Sequence, residues 1–359
     1  MMATPSHSGE RPVEVRVYRG ADLAHCLHRL EQYALRSPRV SLSRHPGWLA
    51  VFEQGLQHTA YALEAVADEE TRGFLALCYV RSVLFGRYLV GLPYLNTGGA
   101  LADDEATQHL LLNRALELAD ELKVRHLELR HEQPVRFPAL NGSYVGKVHM
   151  RLALPSFPGP LWEGLSGKVR NQVRKGEKNG LKVAWGSEEL LPEFYAVFSQ
   201  NMRDLGTPVY SQALFQNILR QFPGDAELCV VRAGYYPLAG ALLLHGRGIS
   251  EVASASALRA YNHICANMLL YWNLLDRAIQ RGQDVFDFGR CTVNGSLYRF
   301  KKQWGARPEP ATWQYYLRKG RPDELRKENP GYQRLIRIWQ RLPVGITRLI
   351  GPAIVRGIP

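Results

Sequence analysis

At 359 residues the chain has room for two ordinary domains, each able to bury a sizeable core. Five scattered cysteines without a CxxC pair read as reduced thiols, "MMATPSHSGERP" lacks the basic-then-apolar order of a signal peptide, and no run of about 18 apolar residues occurs. Export, a disulfide framework and a membrane span are therefore not expected, and a cytoplasmic location is. The net charge of +12 is unevenly placed: residues 290–359 hold fifteen Lys or Arg against four Asp or Glu, which points to a nearby polyanion or to a solvated basic tail.

In chain order, "ADLAHCLHRLEQYAL" predicts a helix, and "TAYALEAVA", "RGFLALCYVRSVLFG" and "RYLVGLP" predict strands separated by turns. Asn96 to Gly99 reads as a loop, and Asp103, Asp104 and Glu105 suit the first turn of the helix that follows, where the dipole favours acids. The alternation in "VRHLELR" predicts a strand. The same order returns after residue 186: helices in "SEELLPEFYAVFSQNMRDLG" and "SQALFQNILRQF", a hairpin around "AGYYP", the strand "ISEVASASA", the amphipathic helix "NHICANMLLYWNLLDRAIQRG" and the strand "DVFDFG". Element order thus predicts two copies of one α+β unit, at 12–150 and 181–320, although direct identity between the halves is faint.

Between them, 151–180 contains "LSGKVRNQVRKGEKNG", where a helix from Leu165 to Lys178 would align Val169 with Val173 and stack Arg170, Arg174 and Lys178 one turn apart. Gly176 weakens that helix modestly. It reads either as a solvated connector or as an anion-facing helix, and the stacked like charges favour the second. In the basic tail, 321–359, Leu335, Ile338, Trp339 and Leu342 recur at helical steps beside a line of Arg334, Arg337 and Arg341, and Pro343 ends the run. Ile346, Leu349, Ile350, Ile354 and Val355 repeat the composition. Residues 330–359 either dock peripherally on an anionic cytoplasmic membrane face or pack on the second unit through the same stripe.

"KVRNQVRKGEKNGLKV", "NMRDLGTP", "ANMLLYWNLLDRAIQRGQDVFDFGRCT" and "SLYRFKKQWGARP", in this order, resemble the FemAB-type peptidyltransferases, tandem GNAT-like enzymes that add amino acids to peptidoglycan precursors. The resemblance spans roughly residues 12 to 318 and is most similar to a FemAB-related group associated with exosortase and exopolysaccharide systems. It implies two tandem GNAT-like (acyl-CoA N-acyltransferase-like) domains with a basic connecting helix and a basic amphipathic tail. It further implies acyl or aminoacyl transfer to an amine of a peptidoglycan precursor or lipid-linked saccharide, with no metal and no tightly bound cofactor. Charged tRNA is the implied donor.

The family's Phe-Lys pair matches Phe300 and Lys301, and the resemblance places the lysine beside the reaction centre. There it would stabilise a developing oxyanion or leaving hydroxyl rather than act as a base, given the ordinary amine pKa of about 10.4. On a strand, Lys302 would face away. Asp287 either orients the acceptor amine or satisfies the turn after it, and Arg290 either forks a carboxylate or phosphate or pairs with an aspartate such as Asp287. Arg203 and Asp204 either fix a loop over the cleft or form a local cap. Tyr298 and Trp304 either stack on a base or sugar or pack a sheet edge. His245 and His263 lack partners at zinc-ligand spacing and read as structural. The turn "SALRAYNHICAN" contains no glycine, which disfavours the coenzyme A pyrophosphate and hence acyl-coenzyme A as donor. The competing readings are a non-catalytic nucleic-acid-binding protein, which lacks any helix-turn-helix, zinc or RRM signal, and an envelope-biosynthesis scaffold that keeps the double fold.

Overall fold

The computed structural model describes residues 12–37, 39–82, 85–319 and 330–358, with no side-chain account for 330–332. Residues 1–11 of "MMATPSHSGERP" and residues 321–329 of the tail lie outside the described residues.

The first half runs β1 (Glu14–Arg19), α1 (Leu23–Ala34), α2 (Trp48–Leu56), β2 (Thr59–Ala67), β3 (Glu70–Ser82), β4 (Gly86–Val90), β5 (Leu101–Ala102), α3 (Glu105–Glu121) and β6 (His126–His131). Asp104 caps α3 by accepting from the Thr107 amide at 2.7 Å, which makes the acidic run a helix start in fact. Then come β7 (Gly142–Ala153), α4 (Pro158–Gly164) and α5 (Gly167–Lys178). The second half runs β8 (Lys182–Gly186), α6 (Leu191–Leu205), α7 (Gln212–Gln221), β9 (Ala226–Ala233), β10 (Tyr236–His245), β11 (Ile249–Ala257), α8 (Ala266–Gln280), β12 (Val285–Thr292), α9 (Ser296–Lys302) and β13 (Arg307–Leu317). Two helices close the chain, α10 (Pro330–Arg341) and α11 (Val344–Val355).

The strands form one mixed sheet in the order β1-β2-β3-β4-β6-β13-β7-β12-β11-β10-β9-β8, with β5 paired to β3. Each half is antiparallel except for one parallel pair, β4 with β6 and β11 with β12. The two halves therefore repeat one strand order, read inward from opposite edges. Their boundaries differ from those expected at 150 and 320. β7, from the first part of the chain, pairs with β12 of the second, and β13, from the end, pairs with β6 of the first. This exchange puts β7 and β13 side by side at the centre and makes the halves one continuous sheet.

One apolar cluster lies between the halves, joining α1 and α2 to α6 and α7 around Trp48, Phe52, Phe194 and Phe215. Another seats α5 and α8 on the second half, around Val169, Val173, Leu269 and Leu274. The basic segment is accordingly no free connector. Val169 and Val173 are buried, and Gly176 lets α5 approach α8: a Cβ there would lie 3.0 Å from the Leu269 Cβ. The glycine that costs helix propensity permits the contact.

Candidate active site

Parallel strands β11 and β12 are paired only as far as Glu251 opposite Asp287. Beyond that point β12 bulges, shifting its register on β7 between Asp287 and Arg290, with Gly289 at φ +76°. This left-handed conformation suits glycine. Into the parting enters Asn96 from the first half, whose Nδ2 donates to Glu251 Oε1 at 2.5 Å and whose Oδ1 accepts from Arg290 Nε at 2.8 Å.

Two buried carboxyls face each other across this opening and are driven in opposite directions. Burial and then the charge of Asp287 push the Glu251 carboxyl up, against donation from Ser41, Ser43 and Asn96. Burial also pushes Asp287 up, but His149 and Arg151 more than offset it and hold Asp287 below the usual carboxylate range. Asp287 Oδ2 meets Arg151 Nε at 2.9 Å and lies 3.4 Å from His149 Nδ1, while Oδ1 accepts the Gly289 amide at 2.7 Å. Of the two expected roles, the turn is the one occupied. The Asp287 partner is Arg151, not Arg290. Arg151 also pairs with Glu132 and with Glu309, the latter at 2.9 Å, so one guanidinium ties β7, β12 and β13 together. A cavity of about 660 Å³, lined by Arg44, His131, Glu132 and Arg136 among others, shares Glu132 with this network.

Phe300 and Lys301 lie on α9, not on a strand, yet the expected contrast with Lys302 holds for a helical reason: neighbouring positions are separated by a hundred degrees or so, and Lys301 is only 5% exposed while Lys302 is exposed. Lys301 Nζ donates to the carbonyls of Gly289 at 2.9 Å and Arg290 at 3.0 Å, the two residues of the bulge. Burial pushes its pKa down to about 8. Phe300 packs edge-on against Tyr271, with centroids 4.8 Å apart. Trp304 is fully buried beneath them and Tyr298 packs against the same cluster, so Trp304 has no face for a base or sugar.

Arg290 stands in contrast to its neighbours. Its guanidinium lies 4.4 Å from the centroid of Trp313 on β13, as does that of Arg130. Among the described residues Arg290 pairs with no carboxylate, and its Nη1 is buried without a hydrogen-bond partner. Burial, and then the charge of Arg130, hold it well below the usual guanidinium range, against the smaller opposing pull of the Glu128 and Glu251 charges, neither of which bonds it directly.

The remaining expected residues fall elsewhere. On α5, Arg174 lies 5.4 Å from the Trp162 ring, Lys178 is exposed and Arg170 is half-buried. Arg203 and Asp204 pair with each other at 2.7 Å and hold the C-terminal helices: Arg203 Nη1 donates to the Leu342 carbonyl at 3.2 Å, and Gln340 Nε2 donates to that of Asp204 at 3.0 Å. They clamp the tail and fix no loop over the opening. His245 is buried against Ser250, and His263 is exposed beside the Ala260 carbonyl. Among the described residues no group of three or more His, Cys, Asp or Glu is placed to hold a metal ion.

Sequence reasoning missed Glu251, Asn96, Arg151, Arg130 and Trp313. Glu251 was legible as the one acid in the small-residue strand "ISEVASASA". The other four come from segments with no motif: Arg151 and Trp313 lie on the exchanged strands β7 and β13, and Asn96 and Arg130 are first-half residues that the joined sheet brings beside them.

A GNAT acetyltransferase domain family matches residues 166–302, which spans α5, the second-half strands from β8 to β12, and the Phe300-Lys301 pair. No curated protein matches the chain in sequence. Among solved structures, FemX is similar with TM-score 0.62 at 15% identity, over 87% of this chain and 98% of that one. The C-terminal domain of a candidate lysylphosphatidylglycerol synthetase from Agrobacterium fabrum is similar with TM-score 0.55 at 12% identity, over 83% and 93%. A tandem GNAT protein from the clavulanic acid biosynthesis pathway is similar with TM-score 0.51 at 12% identity, over 84% and 97%. Residues 166–302 thus match a GNAT acetyltransferase domain family, and the chain shares with these structures a mixed α+β fold built on a central mixed sheet.

Proposed function

We propose that the protein is an acyl or aminoacyl transferase with two tandem GNAT-like units, acting on an amine of a phosphate-bearing or lipid-linked cell-envelope precursor. The observation that carries this reading is the buried Lys301, fixed on two bulge carbonyls where β11 and β12 part. In acyl transfer the amine nitrogen bonds to the carbonyl carbon of an ester or thioester, the bond to the leaving oxygen or sulfur breaks, and the proton shed by the amine goes to the leaving group. Negative charge develops on the carbonyl oxygen and the leaving atom. An ammonium already desolvated and oriented by Gly289 and Arg290 reorganises little as that charge appears. With two N–H groups committed to carbonyls, the third is left for the reacting group. Arg290 supplies a second cation at the same bulge for a carboxylate or phosphate of substrate.

Among the similar structures, one is named as a synthetase of a lysyl-bearing phospholipid, which supports an aminoacyl donor and a lipid-linked acceptor over a nucleic acid. For the donor, the turn between β11 and α8 has Cys265, at φ +63°, where a glycine would free the backbone, and α5 packs directly on it through Gly176. That crowding favours an aminoacyl ester, such as charged tRNA, over acyl-coenzyme A.

The test is incubation of the purified chain with labelled aminoacyl-tRNAs, acyl-coenzyme A and extracted lipid-linked precursors, with product mass as the readout. Transfer from one donor class is expected, and Lys301→Met should lower turnover by about 10² or more at unchanged fold. No transfer from any donor, or near-wild-type turnover in Lys301→Met, refutes the reading.

A further inference from the structure

The two C-terminal helices meet the body through one set of positions and leave another apolar set open. In α10, Ile336 packs over Gly206 and Gln340 bonds the Asp204 carbonyl, an i,i+4 pair facing α6. Leu335 and Ile338 lie on a neighbouring face and are 59% and 51% exposed. The exposed Arg334, Arg337 and Arg341 flank them at i, i+3 and i+7. In α11 the body side is Thr347, Gly351 and Val355, all buried, with Arg348 Nε donating to Ser199 Oγ at 2.8 Å. Its opposite side is Ile346, Leu349, Ile350 and Ala353, all exposed, with Leu349 at 81%. A surface helix ordinarily turns polar residues outward. Here the outward face of α11 is the apolar one, so the packing expected for the tail exists, yet it uses the narrower stripe and does not account for the wider one.

We propose that the outward faces of α10 and α11 form a docking surface for an anionic lipid bilayer. Charge complementarity commits the surface to that occupant: residues 330–358 contain five arginines and no acidic residue. A second copy of the chain is disfavoured because a two-fold contact through this face would lay its arginine row against itself. Among the described residues no helix is long and apolar enough to cross a membrane, so the pair lies in the interface, with Leu335, Ile338 and Leu349 among the acyl chains and the α10 arginines at the headgroups. The clamps to Asp204, Leu342 and Ser199 hold this face rigid relative to the sheet. Docking stands apart from the catalytic reading, since it requires no turnover.

The test is flotation of the full chain with vesicles of phosphatidylcholine alone or mixed with phosphatidylglycerol, at low and high salt. The wild type is expected to float with anionic vesicles, less so at high salt. Combined Leu335→Gln, Ile338→Gln and Leu349→Gln should abolish flotation. Combined Arg334→Gln, Arg337→Gln and Arg341→Gln, at side chains with no described contact to the body, should weaken partition on the order of a hundredfold. Three results overturn the proposal: no flotation of the wild type at low salt, equal flotation of the arginine variant, or a dimer in sedimentation that the leucine variant dissociates.

Discussion

The two halves place equivalent residues at the ends of their parallel ladders and treat them differently. In the first half the β4–β6 ladder ends at Val90 opposite Glu128, and in the second the β11–β12 ladder ends at Glu251 opposite Asp287. Beyond Val90 the chain fills its own parting with backbone: the Gly91 amide donates to the Glu128 carbonyl at 2.8 Å, and that of Gly98 to the Arg130 carbonyl at 3.0 Å. The second parting receives the Asn96 side chain, which bonds Glu251 and Arg290. The arginines at the two ends differ in the same sense. Arg130 is paired with Glu128 at 2.7 Å and bonds the Leu95 carbonyl at 2.8 Å, whereas Arg290 has Asn96 and an unpartnered Nη1. Both flank Trp313. A repeated fold has thus closed one opening with main chain and left in the other a buried cation that no carboxylate bonds directly among the described residues.

Substituting each arginine in turn tests that contrast most strongly. Arg130→Met strands Glu128 in the interior and should cost about 3–5 kcal/mol of stability, as breaking a buried pair does. Denaturant unfolding reads it, and a loss near zero would mean that Glu128 is not held by Arg130. Arg290→Met should cost markedly less stability than Arg130→Met, because no carboxylate bonds the Arg290 guanidinium directly among the described residues. It should raise the KM for the anionic substrate about 10- to 100-fold, the range of a charge-assisted hydrogen bond. A marked fall in the thermal midpoint of Arg290→Met, with binding intact, would make that arginine structural like Arg130.

Much of this contrast was hidden in the sequence for a definable reason. Local pattern exposed α1, β2, α3, α6, α7, β9 and β10, α8 and β12, because each is amphipathic or apolar within its own length. It did not expose β7 or β13. "GSYVGKVHMRLA" and "RPEPATWQYYL" mix polar and aromatic residues, since both lie mid-sheet and set ion-paired residues such as Arg151 and Glu309 among the few that join the apolar clusters, such as Met150 and Tyr316. Their exchange is a property of the pairing between distant segments, which no local period encodes. Lys301 and Arg290 were legible as part of a family-like motif, whereas Arg151, the residue that holds Asp287, sits in a strand with no motif. Trp304 was left between two readings for a related reason: a basic aromatic run reads alike whether its rings face a ligand or, as here, the α8 side of the core.

The bulge separates the halves next. In β12 one extra residue, Gly289, precedes Arg290, whereas β6 runs from Glu128 to Arg130 with a single residue between. Gly289→Ala puts a side chain at φ +76° with its Cβ 3.3 Å from Asn96 Nδ2 and 3.4 Å from the Val252 carbonyl. The left-handed backbone costs about 1–2 kcal/mol, and the contact pushes Asn96 from Arg290. We expect a stability loss of that size together with a raised KM. Gly180→Ala, also at positive φ but with nothing within 4 Å, should show the backbone cost alone. Equal KM values for the two variants would detach the bulge from substrate binding.

The most gradual effect is the pH response of Lys301, which the first half lacks altogether, since no helix follows β6 before β7 among the described residues. The folded pKa of Lys301, about 8, lies below the ordinary lysine value of 10.5. Between these values the native state has lost the proton that the unfolded chain retains. The unfolded state therefore binds more protons, and stability rises with pH across this window. Relative to Lys301→Met, the wild type should gain on the order of 1 kcal/mol per pH unit from about pH 8 towards 10.5, with no difference in slope below pH 7. Turnover should move the other way. An ammonium that stabilises developing negative charge is lost as pH rises through about 8, so kcat should fall there while stability climbs. Chemical denaturation of both proteins across this range, alongside kcat of the wild type, checks both signs. Parallel stability curves would mean that Lys301 is not desolvated. A kcat rising through pH 8 would make the neutral amine the working form and recast Lys301 as a base.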